Sequence, residues 1–367
     1  MESVYRGAAA DLKSDRNLDT NPDRTFIPSS LPGAIFPMTT QLTHPKIILD
    51  TDPGGDDIYA FLWLLALVKQ GLAELVAVTS ADGNVAAKRT FSSASQILNL
   101  AGFPDIKVGR GVPIKQVVED AGHIHGADGM GNLSHTLPPP THNFEDARYS
   151  DEIIIDELNA NPGEITIVAI GPLTNLAAAE MKSPGILKKA KEIVIMGGAF
   201  FCSGNVTPHA EFNIWFNVEA AQTVFDSRDD IVVMPLDVTR HLIFTRDMTH
   251  AVTQANPESK LSQFLIPLCE FMIGTALGYR ETAGIPGLLV HDAATLGYLF
   301  YPETLMLKRA KVRVETKGEF TLGQTSIDSR PAPKTGANAW VALQVDESKF
   351  FTSFVEDLKH LFTTATL

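Results

Sequence analysis

The sequence predicts an α/β protein: one large domain on a mostly parallel, Rossmann-like open sheet with helices on both faces. Two observations carry this expectation. From Lys46 onward, short apolar runs rich in β-branched residues alternate with stretches of helical periodicity. Several of the helical stretches open on Asp, Asn or Ser, whose side chains satisfy the free amides of a first helical turn. Strand then helix, repeated, implies parallel strands joined by crossovers.

Residues 1–45 mix Arg, Asp, Asn, Ser and Pro with little periodicity. They are expected to form an N-terminal extension, partly disordered or packed on the body, ahead of a catalytic domain spanning 46–367. The run 46–49 reads as the first buried strand, followed by a helix starting near Asp57. Strands at 75–79, 106–108, 165–170, 193–196 and 231–234 follow. Helices are expected to start near Val85, Ser150, Asn175, Val218, Pro257 and Asp292. In such sheets ligands gather beyond the carboxyl ends of the strands, so the loops that follow them are where chemistry is sought.

Composition narrows the function. With 367 residues and a formal charge of −13, acidic groups spread along the chain, the protein is not expected to bind nucleic acid. Cys202 and Cys269 alone make neither a disulfide framework nor a zinc spacing, which fits a reducing compartment. The first residues lack an apolar run behind a basic start, and the apolar stretch 58–68 is too short to span a bilayer. A cytoplasmic protein with no membrane partner is expected.

The chemistry concentrates after the first strand, in Asp50-Thr51-Asp52-Pro53-Gly54-Gly55-Asp56-Asp57. Four carboxylates on one tight turn repel one another and raise each other's pKa unless a cation sits among them. One carboxylate can cap the next helix; four exceed that need. Oxygen ligands favour a hard ion such as Ca2+ or Mg2+. Pro53 and the two glycines are read as letting the backbone turn sharply. An EF-hand is excluded, because its glycine position and terminal Glu are missing. A strand ending in Asp-x-Asp also opens haloacid-dehalogenase-like phosphatases, but those carry Thr or Val where this chain has Gly54.

The Asp50–Asp57 run resembles the N-terminal signature of the inosine/uridine-preferring nucleoside hydrolases. Further blocks match in that family's order: Asp82-Gly83-Asn84, Ala121-Gly122-His123-Ile124-His125-Gly126, Ile170-Gly171-Pro172-Leu173-Thr174-Asn175, Met196-Gly197-Gly198, Gly204-Asn205, Glu211-Phe212-Asn213, Val290-His291-Asp292 and Thr321-Leu322-Gly323. Each is weak alone; their joint order over most of the chain is not.

The resemblance implies a Ca2+-dependent enzyme that hydrolyses the N-glycosidic bond of ribonucleosides to free base and ribose. It implies that Asp52, Asp57, Asp292 and the Ile170 carbonyl hold Ca2+, and that Asp52 is the general base for a metal-activated water. Asp56, Asn84 and Asn213 match residues that hold the ribose 2′ and 3′ hydroxyls; Asn205 and Glu211 match those that hold the 5′ hydroxyl. Met196 and Phe212 fall in the same substrate-binding blocks, Phe212 either in the core or as a wall of the sugar pocket.

On the base side, His291 is expected to assist the leaving base and His125 to line the same pocket. His123 reads as an ordinary surface or core imidazole, and Trp215 as core packing. Thr275, Tyr279, Arg280 and Ala283 correspond to a mobile wall that contacts the base, with Gly278, Gly284, Pro286 and Gly287 as hinges. Thr275 resembles pyrimidine-preferring members and Tyr279 those that also take purines, which leaves the preference open. Asn217 and Val218 depart from the family's common Asp and Pro, yet a cap at Asn217 survives the exchange. Ribonucleosides are the expected partners, and the chain is expected to form a homodimer or homotetramer. A binding protein that kept the fold and lost the chemistry is the non-enzymatic alternative; the presence of Asp52, Asp57, Asp292 and His291 disfavours it.

Overall fold

Strand β1 (Lys46–Thr51) lies inside an eight-stranded sheet and pairs in parallel on both sides, so its apolar residues meet helices above and below. The computed structural model describes residues 44–114, 119–328, 330 and 335–363. The expected extension therefore lies outside the described residues except for 44 and 45, and the described residues belong to one compact unit.

Along the chain, β1 leads to α1 (Gly55–Lys69), β2 (Glu74–Ser80), α2 (Ala87–Ala101), β3 (Lys107–Gly109), α3 (Gly122–His125), α4 (Ser150–Ala160), β4 (Ile165–Ala169) and α5 (Thr174–Lys182). Then come β5 (Glu192–Met196), α6 (Phe212–Trp215), α7 (Val218–Ser227), β6 (Ile231–Met234), α8 (Leu236–Thr239), β7 (Ile243–Thr245), α9 (Arg246–Thr253) and α10 (Lys260–Tyr279). The chain closes with β8 (Gly287–Leu289), α11 (Ala293–Phe300), β9 (Leu305–Ala310), β10 (Val312–Val314), β11 (Thr325–Ile327), β12 (Ala339–Val345) and α12 (Glu347–Thr363).

The sheet order is β3-β2-β1-β4-β5-β6-β12-β9, parallel except for β9, which runs antiparallel to β12. The six strands read from the sequence are β1 to β6. Because the chain winds outward from β1 to β3 and then restarts at β4 beside β1, the winding direction switches between β1 and β4. That switch opens a crevice beyond their carboxyl ends, immediately before Asp52 and Ile170.

Strand periodicity sorts the core into two layers. Ile47 and Leu49 face a cluster with α1, while Ile48 faces one with Ile154, Leu176 and Val224 from α4, α5 and α7. Helix α1 is apolar all round, Ile58 to Leu67 being almost wholly shielded from solvent, because it lies between the sheet and α12. Trp63 packs against Phe354 there, ring centres 4.5 Å apart, and donates Nε1–H to Asp357 at 2.9 Å. Caps follow the sequence in part: Asn217 accepts from the Ala220 amide at 3.1 Å, and Ser259 accepts from Ser262 at 3.1 Å. Asp292 stands at the N-cap of α11 without capping it.

Beside the apolar run 58–68, helix α10 is by length and composition long and apolar enough to cross a bilayer. Half of it is buried within the protein, packed on α9 and β8, and it contains Pro267. That is the pattern of a core helix.

Candidate active site

The carboxylates after β1 do not all reach one place. Asp50, still inside the strand, accepts the Thr79 hydroxyl at 2.6 Å and Asn175 Nδ2 at 2.9 Å, and burial pushes its pKa up to about 7. It is an internal group, so three rather than four carboxylates of this run serve the site. Asp52, one residue past the strand, accepts the Asn84 amide on Oδ2 at 2.6 Å. Its Oδ1 is buried with no hydrogen-bond partner. The carboxylate lodges between Gly83 and Gly171, where a Cβ on either residue would collide with it.

Asp57 is held from three directions. The Thr51 hydroxyl donates to Oδ1 at 2.6 Å; the Gly54 amide and Asn84 Nδ2 donate to Oδ2 at 3.0 and 2.9 Å. The Gly54 contact is half of a capping box at the start of α1. Asp56, Asp57 and Asp292 each present an oxygen within 4.8 Å of the others. Burial, then mutual repulsion, pushes Asp56 to about 8; burial pushes Asp57 to about 6 and holds Asp52 and Asp292 well above the usual carboxylate range. Among the described residues no basic side chain forms an ion pair with any of the four, so their charge is uncompensated by the protein. A buried group of oxygens with an orphaned Asp52 Oδ1 beside it has the chemistry of a hard-cation site.

The glycines of the turn act differently from the expectation. Neither Gly54 nor Gly55 has positive φ. They are required for space: a Cβ at Gly54 would strike Asn84 and His125 Nδ1, and one at Gly55 would strike Met272.

Above the acidic group opens a cavity of about 750 Å3, lined by Asp56, Asp57, Asn84 and Asp292 on its floor. Asp52 sits behind that floor, 1 % exposed. Asn213 lines the same cavity and donates Nδ2 to the Ile170 carbonyl at 2.9 Å and to Met196 O at 3.3 Å. A carbonyl has two lone pairs, so this bond leaves one on Ile170 for another partner. Glu211 is buried, and its carboxylate accepts the amides of Gly198 (2.9 Å), Asn213 (2.8 Å) and Ile214 (3.2 Å). It thus caps the short helix α6 while facing the pocket. Asn205, at the exposed mouth, accepts the Phe212 amide at 2.9 Å; Met196 and the half-buried Phe212 complete this side.

His125, His291 and Tyr279 also line the cavity. So do residues the sequence reading assigned elsewhere or passed over. His123 stands edge-on to Tyr279 with ring centres 5.7 Å apart, and Trp215 is half-buried on the wall rather than in the core. Arg240 and Glu281 also face the cavity. Thr275 and Ala283 are not on it: Thr275 donates back to Phe271 O at 3.1 Å within α10. Of the four expected hinge residues, Gly278 lies inside α10 and Gly287 inside β8, which leaves Gly284 and Pro286 in the connection. The positive φ there falls on Arg280, Ala283 and Gly284.

A doubly wound sheet with a carboxylate-lined cavity of about 750 Å3 at its switch point has the architecture of the nucleoside hydrolases. The solved purine-preferring ribonucleoside hydrolase from Gardnerella vaginalis superposes with a TM-score of 0.79 at 29% identity, covering 87% of this chain and 100% of that one. The model for the inosine-uridine preferring nucleoside hydrolases matches residues 47–352, and the chain belongs to that family, whose members cleave N-glycosidic bonds. A probable uridine nucleosidase of Oryza sativa subsp. japonica is 37% identical over 306 residues, 81% of this chain and 86% of the relative. The inosine-uridine preferring nucleoside hydrolase of Leishmania major is 33% identical over 320 residues, 86% of this chain and 98% of the relative. Membership in this family overturns the phosphatase alternative.

Proposed function

We propose that the protein hydrolyses ribonucleosides to free base and ribose with Ca2+ as its resident ion. The observation that carries this reading is the unpartnered, buried Oδ1 of Asp52 beside the Asp56, Asp57 and Asp292 group. Asp52, Asp57, Asp292 and the Ile170 carbonyl are the proposed ligands; a bound divalent cation supplies Lewis-acid activation of water. Asp52, anchored through Oδ2 by the Asn84 amide, would take the water's proton as general base.

The other carboxylates and amides fix the sugar. Asp56, Asn84 and Asn213 hold the 2′ and 3′ hydroxyls, and Asn205 and Glu211 the 5′ hydroxyl, with Met196 and Phe212 against the ring. Glycoside cleavage develops positive charge on the ribose, and an acidic floor stabilises that charge more than the neutral ground state. His291, with His125 and Tyr279 on the same wall, serves the departing base. The catalytic body begins at Lys46, where β1 starts and where the family match begins one residue later. A homodimer or homotetramer in the cytoplasm completes the proposal.

A panel of ribonucleosides and 2′-deoxyribonucleosides, assayed with and without chelator, tests it. Free base and reducing sugar should appear from the ribosides only, and only with the metal present. Turnover that ignores both chelator and the 2′ hydroxyl would refute the reading.

A further inference from the structure

Two pocket imidazoles have their Nδ1 atoms occupied, and the two partners differ in kind. The backbone amide of Gly55, at the start of α1, donates to His125 Nδ1 at 2.9 Å. An amide N–H only donates, so His125 Nδ1 carries a lone pair and its proton resides on Nε2. His291 Nδ1 lies 2.7 Å from the hydroxyl of Thr239, the last residue of α8 and fully buried. No other described side chain or carbonyl accepts from that hydroxyl, and donation to His291 Nδ1 is the arrangement that leaves its buried hydrogen paired. Neither Nε2 bonds another of the described residues, and both rings line the cavity.

We infer that Thr239 is a positioning residue that holds His291 in its Nε2–H form, so that His291 and His125 together present two neutral N–H donors to the base. The inference rests on the nucleoside hydrolase reading for what the donors meet, and on the hydrogen bonds alone for the tautomers. As the glycosidic bond breaks, its electron pair passes to the base, and acceptor atoms of the base take hydrogen bonds from the two Nε2–H groups. Water's hydroxyl goes to C1′ and its proton to Asp52; the base departs with the bond's electron pair and takes its completing proton from solvent, to which Asp52 returns its own. Bases are therefore recognised on this wall through carbonyl oxygens or ring nitrogens with lone pairs. The two locks are unequal: a hydroxyl can rotate, whereas the Gly55 amide cannot, so protonating His125 at Nδ1 breaks its bond.

The test uses the calcium-loaded full chain labelled with 15N-histidine, together with Thr239→Val and Thr239→Ser. In the wild type both histidines should show a pyridine-type Nδ1 and a protonated Nε2. Thr239→Val should shift the His291 signals toward a tautomer mixture and leave those of His125 in place. Its kcat on inosine or uridine should fall roughly tenfold, the effect of one lost transition-state hydrogen bond, with KM little changed. A nitrophenyl riboside, whose leaving group needs no such help, should lose less than about twofold. Thr239→Ser should restore both the spectrum and the rate. A wild-type His291 protonated on Nδ1 overturns the inference whether or not ribonucleosides turn over. Equal losses on nucleoside and nitrophenyl riboside would reduce Thr239 to a packing role.

Discussion

The backbone amide of Asn84 donates to Oδ2 of Asp52 at 2.6 Å, leaving Oδ1 of the same carboxylate buried and unpaired. One oxygen anchors the side chain to the loop after β2, and the other is kept free. This division of labour lets a rigidly held residue still take up a proton.

Replacing Asp52 should therefore damage chemistry more than binding. Asp52→Ala is expected to lower kcat about 10²- to 10⁴-fold on inosine, uridine and a nitrophenyl riboside alike, because the base acts on water whatever group leaves. His291→Ala should spare the nitrophenyl riboside. Steady-state kinetics on the three substrates separates the two, and wild-type rates in both variants would refute the assignments.

Removing the cation should cost stability as well as activity. Asp56, Asp57 and Asp292, with carboxylate oxygens within 4.8 Å of one another, repel one another without an ion. Calcium at a hundredfold excess over its Kd should stabilise the fold by about 2.7 kcal/mol, provided the unfolded chain does not bind it. Thermal melts with chelator and with graded calcium measure this; a melting point insensitive to calcium counts against the site.

His125 should make stability depend on pH. Burial, with His123 nearby, lowers its pKa from 6.5 to about 4. The unfolded chain then binds the proton first as pH falls, so the contribution is fully present above about pH 6.5 and is lost down to about pH 4. For so buried a group it amounts to about 3 kcal/mol. Urea midpoints from pH 7 to 4 should fall more steeply for the wild type than for His125→Asn; parallel slopes would dismiss the linkage.

Glu211 should matter to folding as well as to substrate. Its carboxylate satisfies three buried amides, and removing it leaves them without an acceptor. Glu211→Ala should destabilise the protein by about 1–3 kcal/mol and raise KM for substrates bearing a 5′ hydroxyl. A matched 5′-deoxynucleoside, which lacks the contact, should show little change in KM. Denaturant melts and the paired substrates read the two effects separately.

Much of this was written in the chain. The alternation of apolar runs gave the first six strands because a strand buried on both faces must be apolar throughout, whatever surrounds it. Strands β9 and β12 were not legible in the same way: β9 alternates exposed and covered residues at the sheet edge, and β12 is recruited from far along the chain to pair with β6. Motif order placed Asp52, Asp57, His291 and Asp292 in blocks of known meaning. Arg240 carried no local signal, whereas His123, Trp215 and Glu281 stand in or beside recognised blocks and needed the packed cavity to show that they line it.

By itself the sequence determined the parallel sheet, the family and the acidic run, because periodicity and motif order are properties of neighbouring residues. Only the tertiary structure decided that Asp50 is tied to Thr79 and Asn175 inside the sheet while Asp52 is held by Asn84, that Gly54 and Gly55 are needed for space rather than for a turn, and that Thr239 meets His291. Each of those depends on which atoms from distant segments occupy the same few ångströms, and packing alone settles that.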